Sequence, residues 1–120
     1  MSEQAIHAAI VEYLALNEDP GEWVYFHPDN GSYRKSFAAR RNAKARGVRA
    51  GVPDIILDIR GRIVYVEVKA PKGRANPAQK VWQTYTDMRC TPGHYFVVRS
   101  IDEMQDVLRR HHVNLRGVAA

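Results

Sequence analysis

One cysteine among 120 residues permits no internal disulfide, and Cys90 has no second thiol with which to form a metal pair. A chain of this length buries a core without such staples, and a lone thiol fits a reducing compartment. No secretory leader is expected either, because MSEQAIHAAIVEYL carries acid and amide side chains where a signal peptide would carry basic ones. No apolar run approaches the roughly 20 residues needed to span a bilayer. A soluble, intracellular, cytoplasmic protein with no membrane partner is therefore expected. Internal repeats, low-complexity tracts and dividing linkers are absent too, which leaves a single domain over residues 1–120.

Acid is absent from one segment in particular. RKSFAARRNAKARGVR contains Arg34, Lys35, Arg40, Arg41, Lys44, Arg46 and Arg49 and no Asp or Glu. Of 18 basic residues in the chain, seven lie here, leaving 11 elsewhere against 13 acidic ones, so this segment supplies the whole net charge of +5. Such a patch suits a polyanion, because neutralising phosphates releases condensed counterions. The same run also suits a solvated basic helix that binds nothing.

Ser2 can cap a helix in which Ile6, Ala9, Ile10, Tyr13 and Leu14 form one apolar stripe. Pro20-Gly21 closes that region, WVYFH (23–27) reads as a strand, and PDNG (28–31) as a turn. The alanine-containing basic segment predicts a helix from about Ser36 to Arg46 with Gly47 as its C-cap. Two strands follow. Asn76-Pro77 then supplies an N-cap and a proline at the first helical position, ahead of a stripe of Ala78, Val81, Trp82, Tyr85 and Met88. That helix should stop before Pro92-Gly93. HYFVVR (94–99) is a strand, and Ser100 with Glu103 forms a capping box opening a helix that buries Met104, Val107 and Leu108. The predicted order is α-β-α-β-β-α-β-α.

Three ionisable residues interrupt the central pair of strands, GVPDIILDIRGRIVYVEVKAPKG. Alternation puts Val64, Val66 and Val68 on one face of the second strand, and Ile63, Tyr65, Glu67 and Lys69 on the other. With Arg60-Gly61 as a two-residue hairpin loop, Ile59 pairs with Arg62 and Asp54 falls opposite Glu67. Two carboxylates that close repel unless one is protonated, Lys69 neutralises them or a cation lies between. A hard divalent ion suits them, since Mg²⁺ takes oxygen ligands at about 2.1 Å and keeps several waters. Lys69 would then act on a metal-bound water or on charge developing at a phosphate. The plainer alternative is an Asp at a strand start and a Glu/Lys pair on an exposed sheet face.

Gly51-Val52-Pro53-Asp54, then Glu67-Val68-Lys69, then Gln79, in this order of elements, resembles the PD-(D/E)XK nuclease core and specifically the VRR-NUC family. The resemblance extends from the acidic N-terminal helix to VVRS (97–100). It implies a restriction-endonuclease-like α/β fold, a mixed sheet flanked by helices, and an endonuclease hydrolysing phosphodiester bonds with Mg²⁺ or Mn²⁺. Carried over by position, Asp54 and Glu67 would be metal ligands, the Val68 carbonyl a third, and Lys69 the catalytic lysine. Gln79 would orient the lysine or contact the scissile phosphate, although a helix-start amide can also simply satisfy backbone groups. The resemblance also implies an acid near the metals on the first helix. At 100° per residue Glu3 lies about 20° from Ile10 and about 180° from Glu12, so Glu3 is the inward candidate.

Standalone relatives of this kind are associated with four-way (Holliday) junction cleavage, so the expected partners are branched DNA and a second copy of the chain in a homodimer. Two rivals stand beside the nuclease: a non-catalytic nucleic-acid-binding module, and an interaction protein whose basic segment meets an acidic partner. The histidines suggest no catalytic centre. His111 and His112 read as surface residues, and His27 and His94, at strand ends, lack a Ser or Cys partner.

Overall fold

A computed structural model of the chain describes residues 1–29, 36–89 and 93–113. Arg34, Lys35, Cys90, Pro92 and the second half of the PDNG turn lie outside the described residues. The elements follow the expected order: α1 (Glu3–Asn17), β1 (Trp23–Phe26), α2 (Phe37–Ala45), β2 (Ile55–Ile59), β3 (Arg62–Val68), α3 (Pro77–Arg89), β4 (Tyr95–Val98) and α4 (Ile101–Arg110). β1, β2 and β3 form an antiparallel meander, and β4 joins parallel to β3 after the α3 crossover, giving the sheet order β1-β2-β3-β4. This is the mixed sheet with flanking helices of a restriction-endonuclease-like α/β fold. No helix among the described residues is long and apolar enough to cross a membrane.

The hairpin register is set by local chemistry. Ile59 pairs with Arg62 and Ile55 with Val66. Arg60 (φ 53°) and Gly61 (φ 85°) both take positive φ, the geometry that matches strand twist in a two-residue loop. Asp58 Oδ1 accepts from the Gly61 N–H at 2.8 Å, and the Arg60 guanidinium reaches Glu22 and the His111 carbonyl, which offsets the strain of a left-handed arginine.

One face of the sheet carries the core. Ile55, Leu57, Ile59, Val64, Val66, Val68 and Val98 are 0–2% exposed beneath Ile6, Ile10 and Leu14 of α1 and Met104, Val107 and Leu108 of α4. Each such side chain stabilises the fold by about 1.5–3 kcal/mol. Ser2, Ser36 and Ser100 cap α1, α2 and α4, each accepting from the N–H three residues on.

Three expectations change. At the end of α2 the C-cap is Arg46, and Gly47, at φ 92°, is the residue after it. His111 is buried, not superficial: its ring nitrogens meet the Val107 carbonyl at 2.8 Å and the Gly93 carbonyl at 3.1 Å, because the turn after α4 folds the ring under Phe96. On α3, Val81, Tyr85 and Met88 are exposed, while Thr86 is the buried residue and Trp82 is half-buried. The reason lies at the start of the helix. Gln79 bonds to Glu67 and Trp82 meets Tyr65 edge-on at 5.9 Å, so α3 is rotated to turn Gln79, Trp82 and Thr86 toward the sheet.

Candidate active site

The second face of the sheet, under α3, holds the charged residues. Glu67 and Lys69 are 1% and 6% exposed, so the plainer alternative of a solvated Glu/Lys pair does not hold. Asp54 lies just before β2, and its Oδ2 accepts from the Val68 N–H at 2.9 Å, continuing the ladder beyond its last backbone pair. A strand residue turns its N–H and C=O to the same neighbour, so the Val68 carbonyl faces the Asp54 side as well. Glycine is obligatory in the loop that delivers Asp54. Gly51 has φ 82°, and a Cβ there would come within 2.3 Å of the Ala78 carbonyl oxygen at the start of α3.

Gln79 connects this loop, the helix and the acid. Its Oε1 accepts from the Asn76 N–H and its own N–H donates to Asn76 Oδ1, both at 2.9 Å, a reciprocal capping box. Its Nε2 donates to Glu67 Oε1 at 2.9 Å. Gln79 therefore satisfies the helix start and holds the acid at once. Lys69 Nζ lies 3.6 Å from Glu3 Oε1. Glu3 is half-exposed at the mouth of the site and reaches it through the lysine. Beyond Lys69, Arg99 Nη1 donates to the carbonyls of Ala70 at 2.6 Å and Gly73 at 2.8 Å and so fixes the loop that follows.

Burial above all, then the neighbouring Asp54 carboxylate and the charge of Glu3, push the Glu67 carboxyl up to about 9 against the opposing charge of Lys69. In the metal-free protein Glu67 is thus a neutral acid at pH 7. Tyr95, on β4, has its hydroxyl held well above the ordinary tyrosine value, first by burial and then by the charges of Glu67 and Asp54. It is a site residue that sequence reasoning missed. The parallel register, Tyr65 opposite Tyr95 and Glu67 opposite Val97, puts it on the acid face, and no local pattern announces that pairing. His27 was passed over as well: its Nδ1 contacts the Asp54 carbonyl, and its ring lies 5.2 Å from that of His7.

These donors fit a hard divalent ion. Glu67 Oε2 is buried and has no hydrogen-bond partner among the described residues, an arrangement that costs free energy unless the oxygen carries a proton or meets a cation. Asp54, Glu67 and the Val68 carbonyl supply oxygen ligands of the kind Mg²⁺ and Mn²⁺ prefer, with water completing the shell. Glu3, on α1, stands beside them against the Lys69 ammonium. Among the described residues, no three His, Cys, Asp or Glu side chains converge as a metal-binding group.

The structure therefore gathers Glu3, Asp54, Glu67, Val68, Lys69 and Gln79. Of the basic residues, Arg40, Arg41, Lys44 and Arg46 are exposed on α2 or at its end, and Arg49 sits over the Trp82 ring at 5.4 Å. A family model described as the VRR-NUC domain matches residues 3–100. Neither a curated protein nor a solved structure gives a significant match.

Proposed function

The chain belongs to the VRR-NUC domain family, a family of nucleases, and from that premise we propose that it is a Mg²⁺- or Mn²⁺-dependent endonuclease acting on branched DNA as a homodimer. The observation that carries the metal dependence is Glu67: a carboxyl 1% exposed, with one oxygen unpartnered, facing a second carboxylate across the hairpin. A pure DNA-binding module gains nothing from two acids beside a phosphate, which argues against the non-catalytic rival.

In this reading Asp54, Glu67 and the Val68 carbonyl hold the ion. When bound, it would supply Lewis acidity to a phosphate oxygen and acidify a water near neutral pH. Gln79 keeps Glu67 Oε1 occupied, so Oε2 is the oxygen left to coordinate. Glu67 gives up its proton to solvent when the site is loaded. Lys69 donates from Nζ to a non-bridging phosphate oxygen as negative charge builds there, and Glu3 holds that ammonium in place. The α2 segment, with Arg34 and Lys35 ahead of it, grips phosphates away from the cut.

One carboxylate pair makes one strand cut, so two simultaneous cuts require two chains. A two-fold homodimer matches the near two-fold symmetry of a four-way junction. The test is cleavage of labelled single-stranded, duplex, flap and four-way-junction DNAs with Mg²⁺ or Mn²⁺, beside light scattering at micromolar protein. Paired nicks in the junction by a dimer are expected. Equal nicking of duplex and junction by a monomer would reduce the function to unselective nicking.

A further inference from the structure

Arg49 and Arg89 both place their guanidinium carbons over the Trp82 ring, at 5.4 and 5.9 Å from its centroid. The two cations therefore lie within about 11 Å of each other, and neither is in an ion pair among the described residues. Two like charges held on one aromatic ring concentrate positive potential there, and an anion lying between or across them would be attracted to both. Both side chains are exposed, so an anion arriving from solvent reaches them.

Their position is tied to the acids along the chain and through α3. Arg49 opens the segment that ends at Asp54, and Gly51 within it is pressed on the first turn of α3. Gln79, which bonds Glu67, and Trp82 are three residues apart on α3, hence on one face and about 4.5 Å apart along the helix axis. From the sheet side, Tyr65 touches Trp82 edge-on and lies two residues before Glu67 on the same face of β3. Trp82, and with it the guanidinium pair, is thus linked to the carboxylate pair through Gln79 on α3 and through Tyr65 on β3.

We propose that Arg49 and Arg89, held on Trp82, form a phosphate-binding site for the DNA strand that passes the carboxylates, binding backbone phosphates next to the scissile one. Guanidinium suits this, because its planar fork bonds phosphate oxygens in pairs while its face remains on the indole. Trp82 sets the direction of both forks, so it is a positioning residue for this site. The assignment rests on the nuclease reading above and extends the DNA surface from the basic segment around Arg49 to the far end of α3.

The experiment measures binding of a labelled duplex and a labelled four-way junction by fluorescence anisotropy across a KCl series with Ca²⁺, together with steady-state cleavage in Mg²⁺. R49Q/R89Q should flatten the dependence of log K on log[salt] by up to about 1.8, at about 0.9 per lost phosphate contact. It should raise KM by more than it lowers kcat. R49K/R89K should restore most of the salt slope but not the affinity, since lysine keeps the charge and loses the fork. Trp82→Leu, with both arginines present, should weaken binding less than R49Q/R89Q does. Wild-type protein that binds and cuts DNA, with a folded R49Q/R89Q variant of identical salt slope and KM, overturns this assignment alone. Wild-type protein that neither binds nor cuts DNA overturns the nuclease reading on which it rests.

Discussion

Val64, Val66 and Val68 on one face of β3 and Glu67 with Lys69 on the other are all nearly free of solvent, yet they are buried by different means. The valines meet α1 and α4 and contribute by leaving water. Glu67 loses water without gaining a full set of partners, and its raised proton affinity measures that deficit. One strand therefore carries both well-packed core residues and an incompletely partnered acid. Alternation with a period of two is what allows this, because successive residues answer to different surroundings. The core face is built to be insensitive to charge and pH, and the α3 face is built to respond to both.

Substitutions on the two faces should separate cleanly. The largest effect is expected on activity: Asp54→Ala and Lys69→Ala should each lower cleavage by at least about a hundredfold while far-UV circular dichroism stays that of the folded protein. A folded Lys69→Ala protein with wild-type rate would remove the lysine from the mechanism. On the core face, Leu57→Ala should cost about 2–5 kcal/mol of stability by cavity formation, read by urea unfolding, with activity per folded molecule retained.

Smaller in size, but specific to the polar face, is a dependence of stability on pH. The folded-state value of Glu67 lies near 9 against 4.5 for the free side chain, so the folded protein favours the protonated acid. Its contribution is fully present below about pH 4.5 and is lost as pH rises toward 9. Metal-free protein should accordingly show melting temperatures that fall across that window. Millimolar Mg²⁺ should raise them most at the alkaline end, where the carboxylate is already ionised. Melting curves indifferent to Mg²⁺ at pH 8.5 would argue against a preformed ion site.

The parts of this structure that were legible in the sequence are those set by neighbours in the chain. Arg60-Gly61 and strict alternation gave the hairpin register and the shared face of Asp54 and Glu67. Serine caps gave two helix starts, at Ser2 and Ser100, and the family resemblance rested on motifs that the structure places together. The remainder was decided at a distance. The burial of Glu67 depends on α3 covering that face, where Gln79 bonds it. The rotation of α3 follows from the Gln79 to Glu67 bond, which turned an apparently inward stripe at Val81, Tyr85 and Met88 to the outside. Gln79 has two readings in the sequence, a partner of the lysine or the phosphate and an amide satisfying backbone groups at a helix start, and in the structure it bonds Asn76 at the helix start and Glu67 besides. Tyr95 entered the site through a parallel pairing across 30 residues, and His111 was drawn inward by Phe96 and the Gly93 carbonyl, neither of which a local window contains.

The most direct test of a divalent ion held by the paired acids is nicking of supercoiled plasmid DNA by wild type and Glu67→Gln, each with Mg²⁺ or with EDTA, alongside their melting temperatures. An amide is close in shape to the neutral acid that Glu67 is without metal, so Glu67→Gln should melt no lower than the metal-free wild type. It should fail to nick in Mg²⁺, and wild type should nick in Mg²⁺ and not in EDTA. Wild-type nicking that persists in EDTA, or a folded Glu67→Gln protein that nicks at the wild-type rate, would contradict the account.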